Sequence, residues 1–295
     1  MDTTTPRARR GLLAVVFGWV LAGALAVVLS GCGGGASSDA ATRPPTSTGA
    51  PSQPAEPPSA LPAHAAMLLQ PAAGATGADQ LGTAPVRALW SRIDGGRATS
   101  TTGPDGTGAW DMPEFTTQSR YPRAALVVRN APGHDGLDPG TRDFSWGGDF
   151  QLDAVSTGST GPDNGDNLIQ RGLWGESAEF KAEADLRRAS CAVHGTDGTL
   201  LVRAQMQALP GKWYRMRCYR EGDSLTVSVR ELGPVGWGPT TSEKVSGPVG
   251  AVTFPPDMPI SIGGKIAENG ELIRSATDQF NGWITNLVVE VEASR

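Results

Sequence analysis

Apolar and polar residues alternate with a period of two over much of the stretch between residues 143 and 292. The first clear run places its large apolar residues on one parity: Phe144, Trp146, Phe150 and Leu152. Similar runs cover residues 180–185, 225–230 and 287–292. Successive side chains of a β-strand point to opposite faces, so each run predicts a strand with one buried and one solvated face. Such strands are typical of antiparallel sheets that cover a core on one side.

Short turns containing glycine separate these runs: Gly195-Thr196-Asp197-Gly198, Glu221-Gly222-Asp223 and Glu268-Asn269-Gly270. Many short strands joined by such turns indicate a sandwich or a jelly roll. We therefore predict an all-β domain over residues 83–295, where seven of the eight tryptophans lie. A stretch of this length can form one sizeable core, and all-β domains of this size are often single.

Residues 33–61 consist mostly of Gly, Ala, Ser, Thr and Pro. They have almost no bulky apolar side chains with which to offset the entropy cost of ordering. We expect a flexible tether over residues 32–82, stiffened by its prolines into a semi-extended spacer. Within it, Met67, Leu68 and Leu69 suggest at most one short helix.

The chain begins with a basic leader and an apolar run over residues 11–29. That run is long enough to span a bilayer, so an uncleaved anchor is one interpretation. The other is a secretory signal peptide of residues 1–31, which ends at a small residue before Cys32. The segment Leu29-Ser30-Gly31-Cys32 resembles the lipobox of bacterial lipoproteins. The resemblance implies cleavage before Cys32, a lipid on its thiol, and anchoring at the extracytoplasmic face of the cell membrane. The pair Arg9-Arg10 leaves both general and twin-arginine export open.

The formal charge is −5 for the whole chain, and it is −7 beyond residue 31 because the leader contributes three Arg and one Asp. An acidic chain lacks the basic footprint that nucleic acids require, so we expect no nucleic-acid partner. The other two cysteines, Cys191 and Cys218, form an even pair in an exported chain, which predicts a disulfide.

Several segments resemble the core strands of laminin-G-like domains. They are Asp143-Phe144-Ser145-Trp146, Phe150-Gln151-Leu152, residues 166–172, residues 190–195, residues 211–218 and Phe280-Asn281-Gly282-Trp283-Ile284. Together they cover most of residues 120–292. This family belongs to the concanavalin A-like lectin/glucanase superfamily. The resemblance implies an antiparallel jelly roll of two sheets.

The predicted disulfide restricts the strand order. Bridged Cα atoms lie about 4.4–6.8 Å apart, whereas strands two places apart in a sheet are separated by about 9.6 Å. We therefore expect the strands of Cys191 and Cys218 to be neighbours, or the bridge to lie at their ends. Residues 200–205 would then lie elsewhere, for example in the other sheet.

The superfamily also contains glycoside hydrolases, which use paired carboxylates on either side of the scissile bond. The candidates for such a pair are Glu183 and Asp185, which share one strand face with Glu179 and Lys181. However, arginine follows where the full retaining motif has a third acid, and no Trp or Tyr flanks the run. We favour the alternative of a solvated strand face with alternating charge, and hence no catalytic residue.

A turn before residue 166 gathers oxygen-bearing side chains, with Asp163, Asn164 and Asp166 as candidate ligands of Ca²⁺ and Asp153 as a further one. Laminin-G-like domains often bind calcium at a sheet rim, which supports this interpretation. Turns also favour Asp, Asn and Gly for their backbone geometry alone, so a simple turn is the alternative.

Two tryptophans on strand patterns, Trp146 and Trp213, are expected in the core. Trp237 lies between two glycines and beside a proline, and it is our candidate ligand-binding residue because exposed tryptophans stack on sugars. The sequence thus predicts a surface lipoprotein with a non-catalytic module that binds a glycan or a protein. The alternatives are a glycoside hydrolase and a purely structural envelope protein.

Overall fold

The computed structural model describes residues 65–71, 78–118, 120–156, 165–274 and 278–293. These residues form seventeen β-strands in two antiparallel sheets and contain no helix. Accordingly, this part of the chain has no helix long and apolar enough to cross a membrane. The predicted signal peptide, Cys32 and the tether up to residue 64 lie outside the described residues.

The larger sheet has ten strands. Its main path runs in the order β14 (Gly236–Trp237), β13 (Ser224–Gly233), β12 (Trp213–Glu221), β7 (Phe144–Leu152), β17 (Gly282–Val291), β1 (Ala65–Pro71) and β2 (Ala78–Gln80). Off this path, β15 (Thr241–Ser246) pairs with β13, β5 (Gly108–Asp111) pairs with β17, and β4 (Thr99–Thr102) pairs with β5.

The smaller sheet has seven strands. Their order is β11 (Gly198–Gln207), β10 (Arg188–Gly195), β9 (Glu179–Asp185), β8 (Asp166–Arg171), β16 (Ile260–Ile262), β6 (Arg123–Asn130) and β3 (Val86–Ile93). All pairs in both sheets are antiparallel. The predicted fold class, an all-β antiparallel sandwich of two sheets, is confirmed.

The core lies between the sheets and is built from the inward parity of each strand. Trp146 and Phe150 of the larger sheet are fully buried, as is Phe180 of the smaller one. The ring of Trp146 stacks on Phe144 at 4.7 Å and meets Phe180 at 5.5 Å. Such aromatic pairs add about 0.5–1.5 kcal/mol beyond their buried area. The alternation read from the sequence therefore gives the correct inward face for these strands.

The domain begins earlier than the sequence suggests. Strand β1 pairs with the last strand, with Ala65 opposite Val291 and Leu69 opposite Leu287, and Met67 is fully buried. The assignment of residues 65–71 and 78–80 to a flexible tether is therefore wrong, as is the short helix. The segment joins the sheet for two reasons. Strand β17 offers it a hydrogen-bonding edge, and it has apolar side chains to bury, those of Ala66, Met67 and Leu69.

The disulfide between Cys191 and Cys218 is confirmed, with 5.8 Å between the two Cα atoms. Its predicted setting is wrong, because Cys191 lies in β10 of the smaller sheet and Cys218 in β12 of the larger one. Residues 200–205 lie in β11, beside the strand of Cys191. Both cysteines are fully buried between the sheets, so the disulfide crosses the core instead of joining neighbouring strands within one sheet.

The two ends of the sandwich are distinguished by where the chain enters the fold and where β7 ends. Ala65, Val291 and Phe144 pair in one row, so the chain enters the fold at the end where β7 begins. At the opposite end, Leu152 closes β7 and pairs with Gly282. We call this second end the distal end.

Candidate functional site

Tryptophans line the outer face of the larger sheet at the distal end. Trp213 of β12 and Trp283 of β17 both pair with Gln151, which lies on the strand between them. Trp283 also pairs with Asp111 of β5 on its other side. Side chains in one cross-strand row share a face, so these four residues form a continuous strip. We call Trp213, Gln151, Trp283 and Asp111, together with Trp237, the distal row.

The two central rings are close together and partly open to solvent. The centroids of Trp213 and Trp283 lie 6.2 Å apart with the planes tilted by 51°, and both residues are half-buried. The indole of Trp283 donates a hydrogen bond to the carboxylate of Asp111. Gln151 Nε2 donates to the carbonyl oxygen of Gly211 at 3.0 Å. These bonds hold the edges of the strip and leave apolar ring surface between them.

The expectation that Trp213 lies in the core is wrong, while that for Trp146 is confirmed. On β12 the buried parity carries Tyr214, Met216 and Cys218. Trp213 shares the other parity with Arg215 and Arg217. The sequence did contain a signal for this position of Trp213. The two arginines mark the solvated face of β12, and Trp213 has the same parity.

Trp237 extends the strip. It pairs with Leu232 of β13, close to the start of β12, and is half-buried. The guanidinium of Arg215 lies 4.5 Å from the centroid of its ring. Cation–π contact therefore fixes this indole in place on the outer face. The predicted ligand-binding residue thus joins two tryptophans that lie far from it in sequence, and its role in binding stays a prediction.

Three carboxylates that act on one another, those of Asp153, Asp111 and Glu114, border the row. Burial first, and then the negative charges of Asp111 and Glu114, raise the pKa of Asp153 to about 6. The pKa of Asp111 is also raised, by burial first, although the bond from Trp283 opposes the shift. This rim of the sheet is therefore acidic as well as aromatic.

The predicted calcium ligands lie only partly within the structure. Asp163 and Asn164 fall outside the described residues. Asp166 begins β8, is fully buried, and accepts hydrogen bonds from Ser156 Oγ at 2.6 Å and from the Asn281 backbone at 3.3 Å. Within the described ranges, no three His, Cys, Asp or Glu side chains converge as a metal site. Calcium binding at this turn stays a prediction.

The candidate acid pair lies on the outer face of the other sheet and is closed off from solvent. Glu183 and Asp185 are both almost fully buried. Lys181 Nζ lies 2.7 Å from Glu183 Oε2, and Arg203 pairs with Asp185. A polysaccharide chain has no access to either carboxylate in this arrangement.

No protein-family model matches the chain. No curated protein sequence matches it either. Among solved structures, the chain resembles the binding domain of Paraclostridial Mosquitocidal Protein 1, with a TM-score of 0.50 and 8% identity over 78% of this chain and 49% of that one. At this identity the likeness is one of fold, and this chain spans about half the length of that neighbour.

Two further solved structures resemble the chain with lower TM-scores. One is the LG1-3 region of the laminin alpha2 chain, with a TM-score of 0.39 and 9% identity over 75% of this chain and 60% of that one. The other is the enzymatically active domain of tailspike protein 2 from bacteriophage CBA120, with a TM-score of 0.46 and 11% identity over 72% of this chain and 30% of that one.

Proposed function

We propose that this domain is a non-catalytic module that binds a glycan through the distal row. The observation that carries the proposal is the strip of three half-buried tryptophans on one sheet face, Trp237, Trp213 and Trp283. Large aromatic residues outside a core expose apolar ring surface that a sugar ring can cover. Polar groups at fixed positions between such rings give orientation and specificity.

The chemistry of the row suits hydroxyl groups. Gln151 lies between two indoles and offers an amide, and Asp111 offers carboxylate oxygens beside the ring of Trp283. The amide of Gln151 both donates and accepts hydrogen bonds, the carboxylate of Asp111 accepts them, and the rings supply apolar contact. A strip across several strands matches an extended oligosaccharide better than a single compact ligand.

The position of the row agrees with display on a membrane. We infer that Cys32 carries the lipid and that residues 33–64 link it to the domain. The chain enters the sandwich at the end opposite the distal row. An anchor of this kind holds the domain outside the cell, where a polymer has access to the distal row.

A glycan array followed by calorimetry on the best ligand tests the binding proposal. We expect Trp213→Ala and Trp283→Ala each to weaken binding at least tenfold, and Trp237→Ala to weaken it less. Trp174→Ala is the matched control, because this tryptophan is 69% exposed but lies away from the row in the β8–β9 connection. Equal binding by all four variants would place the ligand elsewhere, and a protein ligand would appear as an array without hits.

Lipid attachment has its own test. Metabolic labelling with a radiolabelled fatty acid should mark the wild-type chain and leave Cys32→Ala unlabelled. Labelling that persists in the variant would remove the anchor from the proposal without touching glycan binding.

A further inference from the structure

Three carboxylates stand at the Trp283 end of the distal row. Asp111 belongs to the row itself, and the indole of Trp283 donates a hydrogen bond to its carboxylate. Asp153 follows Gln151 by two residues on the same strand path, and residues of one parity point to the same face. Glu114 follows Asp111 by three residues, and its charge acts on both other acids. We call Asp111, Glu114 and Asp153 the acidic rim.

Backbone and amide hydrogen bonds fix the acidic rim to the sheet. The N–H of Asp153 donates to the carbonyl oxygen of Asn281 at 3.2 Å, so the pairing of β7 with β17 continues one residue beyond Leu152. The side-chain amide of Asn281 donates in turn to the carbonyl oxygen of Pro113 at 2.7 Å. That bond holds the segment that carries Glu114 beside the last residues of β7.

The rim is open on the side of β12. Gly211 N donates to the carbonyl oxygen of Leu152 at 3.0 Å, which places this glycine across from Asp153 and two residues before Trp213. A Cβ atom added at Gly211 would meet no described atom within 4 Å, and Asp153 itself is half-buried. A ligand that covers the ring of Trp213 therefore has room to extend to the Asp153 carboxylate.

The electrostatics of the rim favour a cation. The charges that act on Asp153 are those of Asp111 and Glu114, and the charge that acts on Asp111 is that of Glu114. Together with burial, these like charges disfavour the ionised form of Asp153 and raise its pKa. Folding thus works against this carboxylate at neutral pH, and residues that oppose stability in this way are expected at functional sites. A cation beside the rim would stabilise the ionised form.

The bases around the row are directed at other groups. Arg187 Nη2 donates to the carbonyl oxygen of residue 154 at 3.0 Å. Lys212 pairs with Glu231. Further along the same outer face, the charges of Arg215 and Arg217 are matched by three acids, Asp149, Asp105 and Glu290. The described part of the chain therefore leaves an excess of negative charge at this end of the row.

We propose, resting on the proposed function of the distal row, that its ligand is a cationic glycan, with a protonated amine of an amino sugar in contact with the acidic rim. The indoles cover apolar faces of the sugar rings, and the open faces of Trp213 and Trp283 also attract an ammonium group by cation–π contact. The row already contains one such contact, with Arg215 4.5 Å from the ring centroid of Trp237. The complementary charge of the rim supplies the specificity.

Three hexasaccharides that share one backbone and linkage test the proposal by calorimetry at about pH 6, where amines are protonated. Each ring carries a hydroxyl in cellohexaose, an N-acetyl group in chitohexaose and an ammonium in the glucosamine hexamer. We expect the glucosamine hexamer to bind about tenfold or more tighter than both neutral oligomers. Equal affinities that all fall in Trp213→Ala would overturn the cationic ligand and leave glycan binding by the row intact. Absence of binding by all three would also overturn it, and the glycan array would then decide the proposed function separately.

Asp153→Asn and its control Glu271→Gln assign the preference to the rim. Both variants remove one carboxylate, and Glu271 lies in an exposed loop. Asp153→Asn should bind the glucosamine hexamer about fivefold or more weakly and should bind cellohexaose as the wild type does, since only the ammonium needs the charge. Glu271→Gln should bind both ligands as the wild type does.

Two results would place the affinity elsewhere. A preference for the glucosamine hexamer that persists in both Asp153→Asn and Asp111→Asn would overturn the role of the rim, and Asp153→Asn decides alone if Asp111→Asn does not fold. Hexalysine that binds as tightly as the glucosamine hexamer would also overturn the proposal, because charge without a sugar ring would then explain the affinity and a basic peptide would be the better ligand.

Discussion

Arg215 holds the buried carboxylate of Asp149 with two parallel hydrogen bonds, from Nε to Oδ1 and from Nη2 to Oδ2, each 2.7 Å long. Asn286 Nδ2 donates to the same carboxylate at 2.7 Å. The pair lies on the outer face of the larger sheet, and the guanidinium of Arg215 in turn supports the ring of Trp237. A fully buried carboxylate, through its salt bridge to Arg215, thus positions one member of the distal row.

Replacing Asp149 by Asn should therefore damage both stability and binding. Removing one partner of a fully buried pair costs about 3–5 kcal/mol, and the loss here should be smaller because the Arg215 side chain is 25% exposed. We expect a lower urea midpoint and weaker binding of any ligand that contacts Trp237. Lys212→Gln is the control, because its pair with Glu231 is solvent-exposed, and its midpoint should stay at the wild-type value. Equal midpoints for both variants would contradict a structural role for the Asp149 carboxylate.

The disulfide should contribute substantially to stability. It closes a loop with a sequence separation of 27 residues, for which the chain-entropy estimate is about 3.5 kcal/mol. The double variant Cys191→Ala, Cys218→Ala should unfold at correspondingly lower urea, measured by tryptophan fluorescence. Thiol titration of the unfolded, unreduced Cys32→Ala chain should find no free thiol, and two free thiols would contradict the bridge.

The hairpin between β9 and β10 is built on an unfavourable turn. Leu186 and Arg187 both adopt positive φ angles, of 49° and 61°, in a two-residue loop between Asp185 and Arg188. Such loops prefer Asn-Gly, because the left-handed region costs ordinary residues about 1–2 kcal/mol each. The double variant Leu186→Asn, Arg187→Gly should raise the free energy of unfolding by about 1 kcal/mol or more. The variant also loses the hydrogen bond from Arg187 Nη2 to Ala154 O, which reduces the gain in the free energy of unfolding. An unchanged urea midpoint would show that the turn carries no strain.

Asp153 should make stability depend on pH. Burial and then its acidic neighbours raise the pKa of Asp153 to about 6, from an ordinary value of 3.8. Folding therefore favours the protonated form, and this contribution is full below about pH 4 and is lost as the pH rises through 6. Asp153→Asn should melt higher than wild type at pH 7.5, and the difference should shrink toward pH 4.

The control for this variant is Glu271→Gln, which removes one carboxylate from an exposed loop and so makes the same change in net charge. A difference between Asp153→Asn and wild type that stays constant from pH 4 to pH 7.5 would show that Asp153 does not titrate between those limits in the folded protein.

Local sequence determined a large part of this fold. The parity of Phe144, Trp146 and Phe150 fixes which side of β7 faces the core, because side chains alternate strictly along a strand. The segments Gly195-Thr196-Asp197-Gly198 and Glu221-Gly222-Asp223 form the expected hairpins, since their turn residues tolerate the required backbone geometry. The pairing of Cys191 with Cys218 followed from counting cysteines in a chain predicted to be exported.

Only the tertiary structure decided which distant residues meet. Trp213, Gln151, Trp283 and Asp111 come from four strands, and their row exists because β12, β7, β17 and β5 lie side by side. The disulfide crosses between the sheets because β10 and β12 lie in different ones. The alternation of apolar and polar residues predicts which face of a strand points to the core. It does not predict which strands lie beside it, because strand order is set by packing across the whole core.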